Sequence, residues 1–192
     1  TGLLSACQPA ATPAGESGPF GADFSEKTPH MPTTFVDTTG SKYAWFKMYN
    51  PVQALENRIS PPEGYVRKAL PEGSFGEWLR GIPLKPGKPE VMLYNGQPKA
   101  NQDAQFAVVN IDVGKRDLQQ CADAVMRLRA EYLFSQAEHD AIHFNFTSGA
   151  NCAWSQWNQG LRPSIAGSKI NWVKKAEPSK SHESFRSYMD MI

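Results

Sequence analysis

Two stretches of this chain alternate apolar and polar residues. In Val109-Asn110-Ile111-Asp112-Val113 the polar positions are Asn110 and Asp112; in Ile142-His143-Phe144-Asn145-Phe146-Thr147 they are His143, Asn145 and Thr147. A side-chain period of two belongs to a strand with one dry and one polar face. Strands are therefore predicted over 106–113 and 141–147. Val91-Met92-Leu93-Tyr94, running into the turn dipeptide Asn95-Gly96, predicts another, and 169–173 a fourth.

Elsewhere the period is helical. Leu118, Cys121, Ala122, Val125, Leu128 and Tyr132 fall along one side of a predicted helix over 118–134, capped by Asp117 with Gln120 at the reciprocal position. Asp123–Arg127 and Arg127–Glu131 are four apart and are expected on its wetter side. Ser74-Phe75-Gly76-Glu77 is a capping box that opens a short helix, and Gly81 and Pro83 stop it. Residues 153–159 predict a short helix carrying Trp154 and Trp157. Phe185, Tyr188, Met189 and Ile192 recur at helical spacing, with no cap expected before the chain ends. The elements lack a regular strand–helix–strand rhythm. The expected fold is α+β: a largely antiparallel sheet with one long packed helix and short helices, preceded by a disordered tether.

The start of the chain has a different character. Leu4-Ser5-Ala6-Cys7 has the pattern of a bacterial lipobox, an aliphatic residue and two small ones before a Cys that receives lipid. The following Gln8-Pro9-Ala10-Ala11-Thr12-Pro13-Ala14-Gly15 is small, polar and Pro-rich, the composition of a tether. The expected organisation is a signal-peptide end over 1–7, a tether over 8–33 and one α+β domain over 34–192. The partner so implied is the lipid bilayer, reached through Cys7, which places the protein in the bacterial envelope, on the outer membrane or a periplasm-facing membrane. With a formal net charge of +1 and no Lys/Arg cluster, the chain lacks the footprint of a nucleic-acid binder.

Several motifs resemble a known family. They are Ser74-Phe75-Gly76-Glu77-Trp78-Leu79-Arg80, Asp112-Val113-Gly114 with 117–124, Phe144-Asn145-Phe146-Thr147-Ser148-Gly149, and Trp157-Asn158-Gln159-Gly160-Leu161-Arg162. In that order they resemble domain of unknown function 4846, over roughly 59–192. The resemblance implies a bacterial envelope protein whose domain continues past Ile192; it carries no activity.

The residues themselves suggest chemistry. Cys121 near a helix start, with His143 on a following strand, is the placement used by papain-like and NlpC-type amidases. The same Cys121 also reads as a small residue on the apolar stripe, or as the disulfide partner of Cys152. Asp112, if its strand pairs with that of His143, would hold the imidazole. Asn110, Asn145 and Thr147 would share that polar face. Trp154, Trp157 and Arg162 would wall a cleft suited to sugar rings and carboxylates, with a buried core position the favoured reading of at least one of the two tryptophans. His139 and His143 lie too far apart in a strand for one ion, so His139 is expected on the surface; no metal and no cofactor are expected. Two functions follow: a binding domain for glycan, peptidoglycan or a protein partner, or a hydrolase of envelope polymer centred on Cys121 or on Asp112 and His143.

Overall fold

The computed structural model describes residues 42–167 and 169–192, with the backbone of Val36–Asp37. Cys7 and the tether lie outside the described residues. The fold is α+β. Strand β1 (Val36–Asp37) pairs with β2 (Met48–Tyr49), β3 (His143–Asn145) with β4 (Asn151–Ala153), and β5 (Leu161–Ala166) with β6 (Lys169–Lys174), all antiparallel. The expected antiparallel pairing is present, but it forms separate two-stranded ribbons rather than one sheet.

Helices α1 (Leu55–Arg58), α2 (Phe75–Arg80), α3 (Cys121–Ser135), α4 (Trp154–Trp157) and α5 (His182–Met189) supply the rest. Local signals explain their ends. Ser74 Oγ accepts from the Glu77 amide at 3.2 Å, while the Glu77 carboxylate turns back to the Gly73 amide at 2.8 Å. Gly81 closes α2. Helix α3 starts three residues later than expected, at a box in which Asp123 Oδ2 accepts from the Gln120 amide at 3.1 Å. Ser181 caps α5, and that helix closes on Asp190, whose amide donates to the Arg186 carbonyl; the expected missing cap is there.

Two aromatic cores meet at α3. In one, Tyr43, Trp78 and Ile82 are buried, and Leu128 and Tyr132 pack against them. Tyr43 Oη donates to the Trp78 carbonyl at 2.7 Å and Trp78 Nε1 to the Lys42 carbonyl at 2.6 Å, so the aromatic segment before α1 is tied to α2. The other core holds Ala130, Leu133, Ile142, Cys152, Trp154, Trp157, Phe185 and Tyr188. Burying such rings contributes on the order of 1.5–3 kcal/mol each.

Of the six residues expected on the apolar stripe, two pack against a core and four are exposed, Leu118 at 39%. Leu128 and Tyr132 face the first core, but Cys121, Ala122 and Val125 are exposed, Val125 at 65%. The buried face is Arg127, Ala130, Glu131 and Leu133. The expectation placed Arg127–Glu131 on the wet side; the pair is buried instead. The helix is rotated because α5 and β4 bring Phe185, Tyr188 and Cys152 to its Ala130–Leu133 side, and because the ion pair satisfies its own charges there.

Residues 106–113 form no strand. The segment meets 83–85 through the Leu84–Val109 bridge, with the Lys85 amide donating to the Val108 carbonyl and the Asn110 amide to the Pro83 carbonyl, both at 2.8 Å. The 91–99 segment is a turn-closed bridge of Met92 with Pro98 around Asn95-Gly96, as the turn dipeptide predicts, though too short to be a strand.

Candidate functional site

The alternation in 142–147 is real: Ile142 is buried, Phe144 and Phe146 are half-buried, and His143, Asn145 and Thr147 are exposed. Strand β3 meets β4, not the segment carrying Asn110 and Asp112. The polar neighbours are therefore Asn145 opposite Asn151, and His143 Nδ1 lies 3.3 Å from Asn151 Nδ2. The expected Asp112–His143 juxtaposition does not form. Asp112 accepts from the Gly114 amide at 3.0 Å and lies 3.6 Å from Arg186 Nη2. Asn110 is half-buried, and its carbonyl accepts from Trp45 Nε1 at 2.8 Å.

The expected aromatic wall is core. Trp154 is fully buried and Trp157 is 7% exposed. Arg162 covers Trp157 with its guanidinium carbon 3.7 Å from the ring centroid, and its Nη1 donates to the Trp157 and Leu161 carbonyls at 2.9 and 2.7 Å. That guanidinium is committed to protein, so it is not a free carboxylate clamp. His139 is half-buried rather than exposed. It sits among Phe134 and Trp154, its Nδ1 accepting from Trp154 Nε1 at 3.2 Å. Burial and the Lys180 charge lower its pKa and favour the neutral ring.

The cysteines part company. Cys121 is the first residue of α3, free and exposed; Cys152 is free and fully buried, its thiol pushed up to about 12 by burial. The disulfide reading fails because β4 turns Cys152 into the core while the first turn of α3 faces solvent. The stripe reading of Cys121 as a core residue fails for the same reason. The Cys121 thiol has no hydrogen-bond partner among the described residues, so Cys121, His143 and Asp112 assemble no relay. In the folded chain Cys121 is expected to label rapidly with iodoacetamide and Cys152 only on unfolding. Mass mapping that found both labelled at one rate in the native protein would contradict this placement. Among the described residues no group of three His, Cys, Asp or Glu side chains is arranged to hold a metal, and no helix is long and apolar enough to cross a membrane.

The sequence did not single out the cluster where α3 crosses α5. Glu131, wholly buried, accepts from Arg127 Nε at 2.7 Å, and His182 Nε2 lies 2.9 Å from its other oxygen. Arg127 Nη1 reaches the Asp112 carbonyl at 3.3 Å. Arg127 Nη2 is buried with no partner among the described residues. Burial pushes the Arg127 guanidinium down, Glu131 pulls it back up, and the nearby Arg186 charge pushes it down again.

Arg127 lines a pocket of about 260 Å³ between the start of α3 and the end of α5. Arg186 lines it too, held at 3.7 Å by Asp190 as well as by Asp112. Leu118, Met126, Met189 and Ile192 give it apolar surface, and Asp117 and Asp123 stand at the α3 end. An arginine donor sealed from water and unmatched by protein costs about 1–3 kcal/mol, which a ligand oxygen would recover. The only early hint was Asp123–Arg127–Glu131 at four-residue spacing.

The family model for a domain of unknown function (4846) matches residues 55–192, and the chain belongs to that family. Comparison with curated proteins and with solved structures found no match.

Proposed function

We propose that this chain is a lipid-anchored envelope lipoprotein whose domain binds a small peptide-like ligand of the envelope in the α3–α5 pocket. Anchorage rests on Leu4-Ser5-Ala6-Cys7 and the Pro-rich segment after it. Binding rests on one observation: Arg127, which lines the pocket, is buried and keeps an unmatched Nη2. The pocket lies just below the ~300–1,000 Å³ of sites that take drug-sized ligands, which favours one or two residues of a peptide. Among the described residues no aromatic side chain lines it, so the peptide part of peptidoglycan, which needs no stacking face, fits better than the glycan.

Two measurements test this. Expressed with a complete signal, the protein is expected in the membrane fraction with labelled palmitate on it, and Cys7→Ser is expected to lose both. Equal labelling of the variant would end the lipoprotein reading. Soluble peptidoglycan fragments are expected to bind the 192-residue chain. Arg186→Gln should weaken that binding about 10-fold or more, as loss of a charged hydrogen bond does. His143→Ala, on the exposed face of β3, should leave it unchanged. The reverse pattern would move the site to the β3–β4 ribbon.

The hydrolase reading retains one favourable observation, the exposure of Cys121 at the start of a helix of 15 residues. Fragment cleavage that iodoacetamide abolishes would establish it.

A further inference from the structure

The pocket carries charges of both signs, and their partners differ. Arg186 has Asp112 and Asp190 within 3.6 and 3.7 Å. Arg127 has Glu131, yet keeps one donor unmatched. At the other end, among the described residues, Asp117 Oδ2 and Asp123 Oδ2 accept from the neutral Gln120, from its Nε2 at 3.3 Å and its amide at 3.1 Å. No cation pairs with either of them among the described residues. A plain anion would satisfy Arg127 but face two unpaired carboxylates. A plain cation would satisfy the carboxylates and leave the Arg127 donor unmet. Asp123 and Arg127 stand one turn apart on α3, with Cβ atoms about 5–6 Å apart. Both side chains are therefore within reach of one small molecule that carries both charges.

We infer that the α3–α5 pocket takes a zwitterion, an amino acid or a peptide unit with a free ammonium and a free carboxylate. Its carboxylate lies on Arg127 and Arg186, and its ammonium on Asp117 and Asp123. This deepens the binding reading above and rests on it. Arg127 Nη2 is closed to solvent, so binding through it requires a neighbouring side chain to move; the ion pairs of Arg186, at 3.6 and 3.7 Å, are longer than hydrogen bonds. Leu118, Met126 and Met189 then meet a short apolar side chain.

Calorimetric titration of the whole chain with leucine of both hands, N-acetyl-leucine and leucinamide tests it. Leucine of one hand is expected to bind, with each blocked analogue at least 10-fold weaker, because each lacks one charge. Asp117→Asn is expected to weaken leucine about 10-fold and leave N-acetyl-leucine unchanged. Arg186→Gln is expected to weaken leucine and leave leucinamide unchanged, with circular dichroism showing both variants folded. If N-acetyl-leucine binds as tightly as leucine, the zwitterion inference is overturned and the pocket survives as a carboxylate site. If leucine fails at millimolar concentration while peptidoglycan fragments still bind through Arg186, the inference is again overturned and the broader reading stands. If neither binds, both fall.

Discussion

Glu131→Ala is expected to destabilise the fold by about 3–5 kcal/mol, the usual cost of stranding a buried charge. The Glu131 side chain is 0% exposed and that of Arg127 is 2% exposed, so removing the carboxylate leaves a guanidinium in the interior facing only the Asp112 carbonyl. It also frees His182 from α3, and with it the first turn of α5. Against a total stability of roughly 5–15 kcal/mol this is a large fraction. The comparison that isolates the cause is Arg127→Met with Glu131→Leu. Replacing both charges by apolar residues of similar size removes the desolvation problem and is expected to recover most of the loss. Urea unfolding of the three proteins measures this. A Glu131→Ala loss below about 1 kcal/mol would show the pair to be solvated after all.

Gly160→Ala should be as damaging by a different route. Gly160 has φ +85° in the turn between α4 and β5, a conformation that costs an L side chain about 1–2 kcal/mol. A Cβ there would lie 1.9 Å from the Ala176 carbonyl oxygen, which is backbone and has little freedom to retreat. The Gly160 carbonyl accepts from the amides of Lys175 and Ala176 at 2.9 and 3.1 Å, so moving that strand end breaks the bonds that hold it. Gly96 is the control. It has φ +80° in the Asn95-Gly96 turn, with nothing within 4 Å of its Cβ position. Gly96→Ala should cost about 1–2 kcal/mol, and Gly160→Ala at least about 3 kcal/mol or the folded state itself. Equal losses at the two positions would refute the close approach.

The features that were legible in the sequence have causes within a few residues of themselves. Ser74 caps α2 because its hydroxyl reaches an amide three residues on. Asn95-Gly96 turns because Gly96 alone must take positive φ. His143 and Asn145 face solvent because a strand puts alternate residues on opposite sides and their neighbours are apolar. Phe185 and Tyr188 are buried in α5 as their spacing predicts.

Tertiary structure decided which surface meets which, and that overturned most of the expected site. Asp112 is local to neither of its cationic neighbours; Arg186 lies on a helix far along the chain. The sequence favours core for at least one of Trp154 and Trp157 and wall for the other; α5 makes both core by packing Tyr188 against both rings. Strand β4, three residues long, carries no alternation that a sequence window can detect, yet it takes the edge of β3 that the Asp112 segment was expected to fill. Arg127 and Glu131 have the spacing of a solvated helix pair, and nothing within α3 says otherwise. They become interior because His182, 51 residues beyond Glu131, supplies the second partner that makes a buried carboxylate tolerable. Periodicity measures how apolar a face is. Burial of charge depends on whether its hydrogen-bonding partners arrive, and those come from the fold.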